Sequence, residues 1–123
     1  MRFIPTKVHG VIDYLAGALF IASPWLFGFN NDGAAQWVPV VVGVVALVVS
    51  LFTDYELGAV KQLPMPLHLT GDVLEGIVLL ASPWVFGFAD YVYLPHVVFG
   101  VFAIGAGLLT DKVPYRRHAM TRN

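Results

Sequence analysis

Two histidine–aspartate pairs are the residues of this 123-residue chain best placed to do chemistry. His9 and Asp13 are spaced i, i+4, as are His68 and Asp72, so each pair shares a face if its segment is helical. Glu75 lies one turn further along the second pair's face, where the first pair's segment has Ala16 instead. Thr53–Asp54 and Thr110–Asp111 close two other apolar segments and add to the same candidate polar cluster. Three chemistries suit these residue types. Imidazole–carboxylate hydrogen bonds would lock segments in register. Carboxylates in an apolar setting would carry protons or ions, with Asp72 and Glu75 as the pathway. Two histidines at one depth could ligate a haem axially, or join both aspartates in a His2Asp2 divalent site. The spacing is compatible with metal without being specific to it. Structural pairing is therefore the favoured reading for His9, Asp13, His68 and Asp72. No cofactor is expected, with haem or a divalent metal held below the other two readings.

Other chemistries are excluded by composition. There is no cysteine, which removes disulfides, thiolate metal sites and cysteine nucleophiles. A net charge of −1 gives no electrostatic footprint for nucleic acid. Ser23 and Ser82 have no histidine near them in sequence, and no phosphate loop is present. No catalytic residue and no enzymatic activity are expected.

The elements that must hold the polar pairs are set by uncharged runs. Hydrophobic residues make up 58% of the chain and charged ones 12%, about half the charge usual in a soluble domain, ~25%. Residues 14–31, 33–53 and 91–110 contain no Asp, Glu, Lys or Arg. Each is close to the ~20 residues that cross a hydrocarbon layer of ~30 Å as a helix. A fourth run, 67–88, is interrupted by Asp72 and Glu75. The sequence predicts an all-α polytopic membrane protein with four transmembrane helices, near 8–28, 36–53, 67–87 and 93–110. Arg2 and Lys7 before an apolar run, with Ala22–Ser23 after it, resemble a signal peptide. The recurrence of the same phrase deep in the chain argues against that.

Arg2, Lys7, Lys61, Lys112, Arg116, Arg117 and Arg122 all fall on one side of the predicted membrane, and the opposite loops hold only Asp32 and Asp90. The positive-inside rule then places the chain in the plasma (inner) membrane with both termini cytoplasmic.

The chain also repeats itself. A shift of 59 aligns His9 with His68, Asp13 with Asp72 and Gly17 with Gly76. Beyond a longer first loop, a shift of 57 aligns Gly43 with Gly100, Ala46 with Ala103, Ser50 with Gly107, Thr53 with Thr110 and Asp54 with Asp111. The reading is one membrane domain of two parallel helical-hairpin repeats, about 5–56 and 64–112, related by a pseudo-two-fold axis along the membrane normal. A basic tail, 113–123, follows. Gly43, Ala46, Ser50 and Thr53, like Gly100, Ala103, Gly107 and Thr110, form small-residue stripes suited to close helix packing.

The most specific repeated phrase is SPWLFGF at 23–29 and SPWVFGF at 82–88. Pro24 and Pro83 deprive the carbonyls of Phe20 and Leu79 of their helical donors. Ser23 and Ser82 are placed to donate one turn back. Trp25 and Trp84 suit headgroup depth, and Gly28 and Gly87 suit a left-handed helix stop onto which the following phenylalanine folds. Two such phrases, one in the first helix of each hairpin, resemble the SPW repeat family of bacterial and archaeal membrane proteins, over about His9 to Asp111. The resemblance implies a multi-pass membrane protein and supplies no catalytic residues.

His96, after Pro95 at an outer helix start, reads as interfacial, and the Lys112–Arg122 tail, with His118, as a topology signal. The expected partners are the lipid bilayer and, through Val- and Phe-rich outer faces, a second copy or a larger membrane protein. The expected role is structural or accessory, with a small transporter or channel as the alternative.

Overall fold

A computed structural model describes residues 1–114. His118, Arg116, Arg117 and Arg122, assigned above to a basic tail, lie outside the described residues. Four α-helices follow in order: α1 (Thr6–Leu26), α2 (Ala34–Leu51), α3 (Met65–Val85) and α4 (Leu94–Leu109). The first three start and end two residues earlier than the apolar runs suggest. Pro5 and Pro64, both extended, set the starts of α1 and α3. Gly28 and Gly87, each at φ +75°, set their ends. Only glycine takes that conformation without strain, so these helices stop one residue short of it.

α1 packs along α2, and α3 along α4, while α2·α3 and α1·α4 join the two pairs. The small stripes face inward to these contacts. A Cβ on Gly43 would lie 2.7 Å from the Gly17 carbonyl oxygen, and one on Gly100 2.6 Å from that of Gly76. Backbone touches backbone there, which a side chain would prevent.

Each helix pair closes the other at the end where α1 and α3 begin. Phe3 and Ile4 donate their N–H groups to the Leu109 carbonyl, and Asp111 donates to Ile4. Gln62 and Leu63 likewise donate to Phe52, and Asp54 to Leu63. These bonds satisfy carbonyls that a helix C-terminus leaves open. Arg2 adds its guanidinium to the carbonyls of Gly107 and Thr110.

The middle of the bundle is apolar, with Phe20, Val42, Leu79 and Phe99 in one cluster. Outward faces are apolar too: Leu15 is 68% exposed, Val85 70% and Val101 56%. His9, His68 and His96, Asp13 and Asp72, and Ser23, Ser50 and Ser82 are inside instead, with His9, Ser23 and His96 at 0%. Among the described residues α2 is the helix long and apolar enough to cross a membrane by length and composition. α4 is apolar but has 16 residues, ~24 Å at 1.5 Å per residue. The inward-facing polar groups of α1 and α3 lower their average hydropathy.

Candidate functional site: a buried histidine–aspartate quartet

The i, i+4 spacing puts His9 and Asp13 on one face of α1, and His68 and Asp72 on one face of α3. These faces meet inside the bundle, toward the end that holds Thr53 and Thr110. His9 Nε2 lies 3.0 Å from Asp13 Oδ1 and 2.8 Å from Asp72 Oδ2. His68 Nε2 lies 3.1 Å from Asp13 Oδ2 and 3.2 Å from Asp72 Oδ2. Each imidazole therefore faces one carboxylate of its own helix and one of the other helix. The two rings meet edge to face, 5.3 Å apart.

The outer nitrogens are tethered crosswise. His9 Nδ1 is 2.7 Å from Thr110 Oγ1, and His68 Nδ1 is 2.7 Å from Thr53 Oγ1. Each threonine hydroxyl spends its one hydrogen on a carbonyl four residues back, Thr53 on Val49 and Thr110 on Ala106. The hydroxyls can then only accept from the rings, so both Nδ1 atoms carry hydrogen. Both Nε2 atoms are left pointing at the carboxylates.

Tyr55 was not singled out from the sequence. It donates its hydroxyl to Asp13 Oδ2 at 2.8 Å and is fully buried. Burial, and next the charge of Asp13, hold the Tyr55 hydroxyl well above the ordinary tyrosine range, so it keeps the proton it donates. Its counterpart under the 57-residue shift is Lys112, so comparing the two halves hides it.

Asp54 and Asp111, grouped with the cluster from sequence, lie outside the quartet. Asp54 is exposed and Asp111 half-buried. The threonine before each turns inward at the helix end, and the next side chain points away from it. Glu75 is half-buried one turn from Asp72 and makes no hydrogen bond among the described residues. It shares with Asp13 and Asp72 a cavity of about 30 Å³, lined also by Phe20 and Phe102. That is room for about one or two waters. A porphyrin does not fit beside the two histidines, which sets aside the haem reading.

At the other end of the bundle, three in-helix prolines free three carbonyls, and each finds a donor. Ser23 Oγ donates to Phe20 at 2.8 Å, and Ser82 Oγ to Leu79 at 2.8 Å. Pro39 leaves the Ala35 carbonyl open, and His96 Nε2 of α4 donates to it at 2.8 Å. His96 is therefore not interfacial as its place in the sequence suggests. It is fully buried between Phe29 and Phe88, the last residues of the two repeated phrases. The arithmetic of Pro39 minus four was the signal that could have found it. His96→Phe removes the donor and leaves a buried carbonyl unpaired. We expect a loss of about 1–3 kcal/mol in stability, measured by thermal unfolding.

Fold and site together define an all-α, four-helix protein that gathers its polar groups inside an apolar exterior. A family model for the SPW repeat domain matches residues 7–110, and the chain belongs to that family. No curated protein and no solved structure matches it.

Proposed function

We propose that this protein is a non-enzymatic, multi-pass membrane protein of structural or accessory type. Its four helices cross the inner membrane as two parallel hairpin copies, with both termini cytoplasmic. The observation that carries this reading is the inverted distribution of polarity. Large apolar side chains cover the outside of every helix while His9, His68, His96, Asp13, Asp72 and the serines fill the inside. A soluble monomer rarely exposes a contiguous apolar patch beyond about 300–600 Å².

Two further features support it. Trp25, Trp37, Trp84, Tyr91 and Tyr93 are half-exposed around one end, as in an aromatic belt. Arg2, Lys7, Lys61 and Lys112 lie at the other end. The matched bonds from Asp111 to Ile4 and from Asp54 to Leu63, with those from Ile4 to Leu109 and from Leu63 to Phe52, support the pseudo-two-fold arrangement. Exposed Val and Phe on the outer faces suit a second copy or a larger membrane partner.

The absence of native cysteine makes the topology directly testable. Single cysteines at Asp32 and Asp90 should react with an impermeant maleimide from outside intact cells, and one at Lys61 only after permeabilisation. A chain found in the soluble fraction, or the reverse labelling, would overturn the reading. Co-purification from native membranes tests the accessory role.

The cavity beside Asp72 and Glu75 favours a second reading, a proton or ion pathway. Proton flux in liposomes that drops in Glu75→Gln would support it; equal flux rejects it.

A further inference from the structure

We propose that His9, His68, Asp13 and Asp72 form a binding site for one divalent transition-metal ion of the zinc class. This goes beyond the accessory role and does not depend on the membrane reading. Four ligand atoms, one from each residue, all lie within 4.8 Å of one another. A four-coordinate ion with bonds of ~2.0–2.2 Å holds its ligand atoms ~3.3–3.5 Å apart. The nitrogen–oxygen separations here are 2.8–3.2 Å. An ion therefore needs small side-chain adjustments and no movement of the helices. Two neutral imidazoles and two carboxylates also balance a double positive charge, which a dry interior requires. Nitrogen with carboxylate oxygen suits zinc, cobalt(II), manganese and iron(II), and gives no soft ligand for copper(I).

A second observation points to a ligand independently of the clustering. His68 Nε2 is buried and makes no hydrogen bond, although two carboxylates stand 3.1 and 3.2 Å away. It faces both carboxylates without meeting the geometry of a hydrogen bond to either. A histidine that is 1% exposed carries an unsatisfied nitrogen aimed into the quartet. Leaving such a group unpaired is costly, and an ion between the four residues would satisfy it.

The surroundings have the form metal-binding histidines need. Each ring's other nitrogen is held by a threonine whose own hydrogen is committed elsewhere. That fixes both the ring orientation and the nitrogen left free for metal. Tyr55 does the same for Asp13. The ligands come from α1 and α3, one pair from each half of the chain, so a bound ion would clamp the halves together.

The test uses the full chain in detergent, purified through a tag without histidine and stripped with a chelator. Cobalt(II) is titrated, followed by zinc. The expected result is one cobalt per chain with the intense visible absorption of a four-coordinate nitrogen–oxygen site, bleached by one equivalent of zinc. His9→Ala and His68→Ala should abolish uptake. Thr53→Val and Thr110→Val, which keep all four ligands, should weaken it about 10–100-fold. Should the histidine variants fail to fold, the threonine variants and the wild-type spectrum decide. Helical wild-type protein that takes up no cobalt, or shows only the pale spectrum of six-coordinate cobalt, overturns the proposal. So does uptake undiminished in the His9→Ala, His68→Ala double variant.

Discussion

Asp72→Ala should lower the unfolding free energy of the metal-free protein by about 3–5 kcal/mol, the usual cost of removing one member from a buried ionic network. Asp72 Oδ2 is one oxygen shared by both imidazoles, at 2.8 Å from His9 and 3.2 Å from His68. Without it, His9 and His68 each keep one carboxylate partner, and for both it is Asp13. Reversible unfolding in detergent, followed by helical circular dichroism, measures the loss. Glu75→Gln is the control. Glu75 makes no hydrogen bond among the described residues, so its change should be small by comparison.

A companion variant separates stability from purpose. Replacing all four members by apolar residues of similar size removes both the charges and their need for partners. Such replacements are often neutral or stabilising by about 1–4 kcal/mol. A folded quadruple variant would mean that packing alone can join the halves. The polar quartet would then be kept for something other than folding, which the cobalt titration addresses from the other side. A quadruple variant that does not fold, alongside a destabilised Asp72→Ala, would mean the quartet itself joins the halves.

Much of this site was legible in the sequence, and the physical reason is periodicity. The i, i+4 pairs announce their shared faces, and the 59-residue shift ties one pair to the other. Pro24 and Pro83 identify the carbonyls that Ser23 and Ser82 satisfy. What the sequence does not carry is how the helices sit around the centre. The crossed tethers from His9 to Thr110 and from His68 to Thr53 join residues 101 and 15 positions apart. Nothing in their spacing distinguishes that pairing from the uncrossed one. Asp54 and Asp111 mislead because sequence adjacency to a buried threonine says nothing about the direction of the next side chain. Tyr55 escapes notice, and His96 is misread as interfacial, because neither has a like residue at the matching place in the other half. The helix ends shift for a local reason: Gly28 and Gly87 look like the last residues of apolar runs, yet their backbone lies already outside the helix.

The glycine contacts carry the other large expected effect, and they are unequal from one position to the next. A Cβ on Gly100 would meet the Gly76 carbonyl oxygen and the Leu80 amide nitrogen, both at 2.6 Å. These are backbone atoms of a packed helix and yield only if α3 and α4 separate. A Cβ on Gly17 would meet Leu47 side-chain atoms at 2.6 and 2.8 Å, and backbone no closer than 3.3 Å. Leu47 can rotate away. Overpacking a tight contact costs about 1–3 kcal/mol and occasionally more, so Gly100→Ala should stand at the top of that range or above it, and Gly17→Ala near the bottom. Gly105 has nothing within 4 Å of an added Cβ. Gly105→Ala should therefore stabilise the protein by up to about 1 kcal/mol through helix propensity alone. Thermal unfolding of the three variants in one detergent gives the comparison. Equal losses at Gly17 and Gly100 would show that the softness of Leu47 offers no relief. The expected order, Gly105→Ala above wild type, then Gly17→Ala, then Gly100→Ala, would mean that the cost is set by whether the added Cβ meets backbone or a side chain that can turn away.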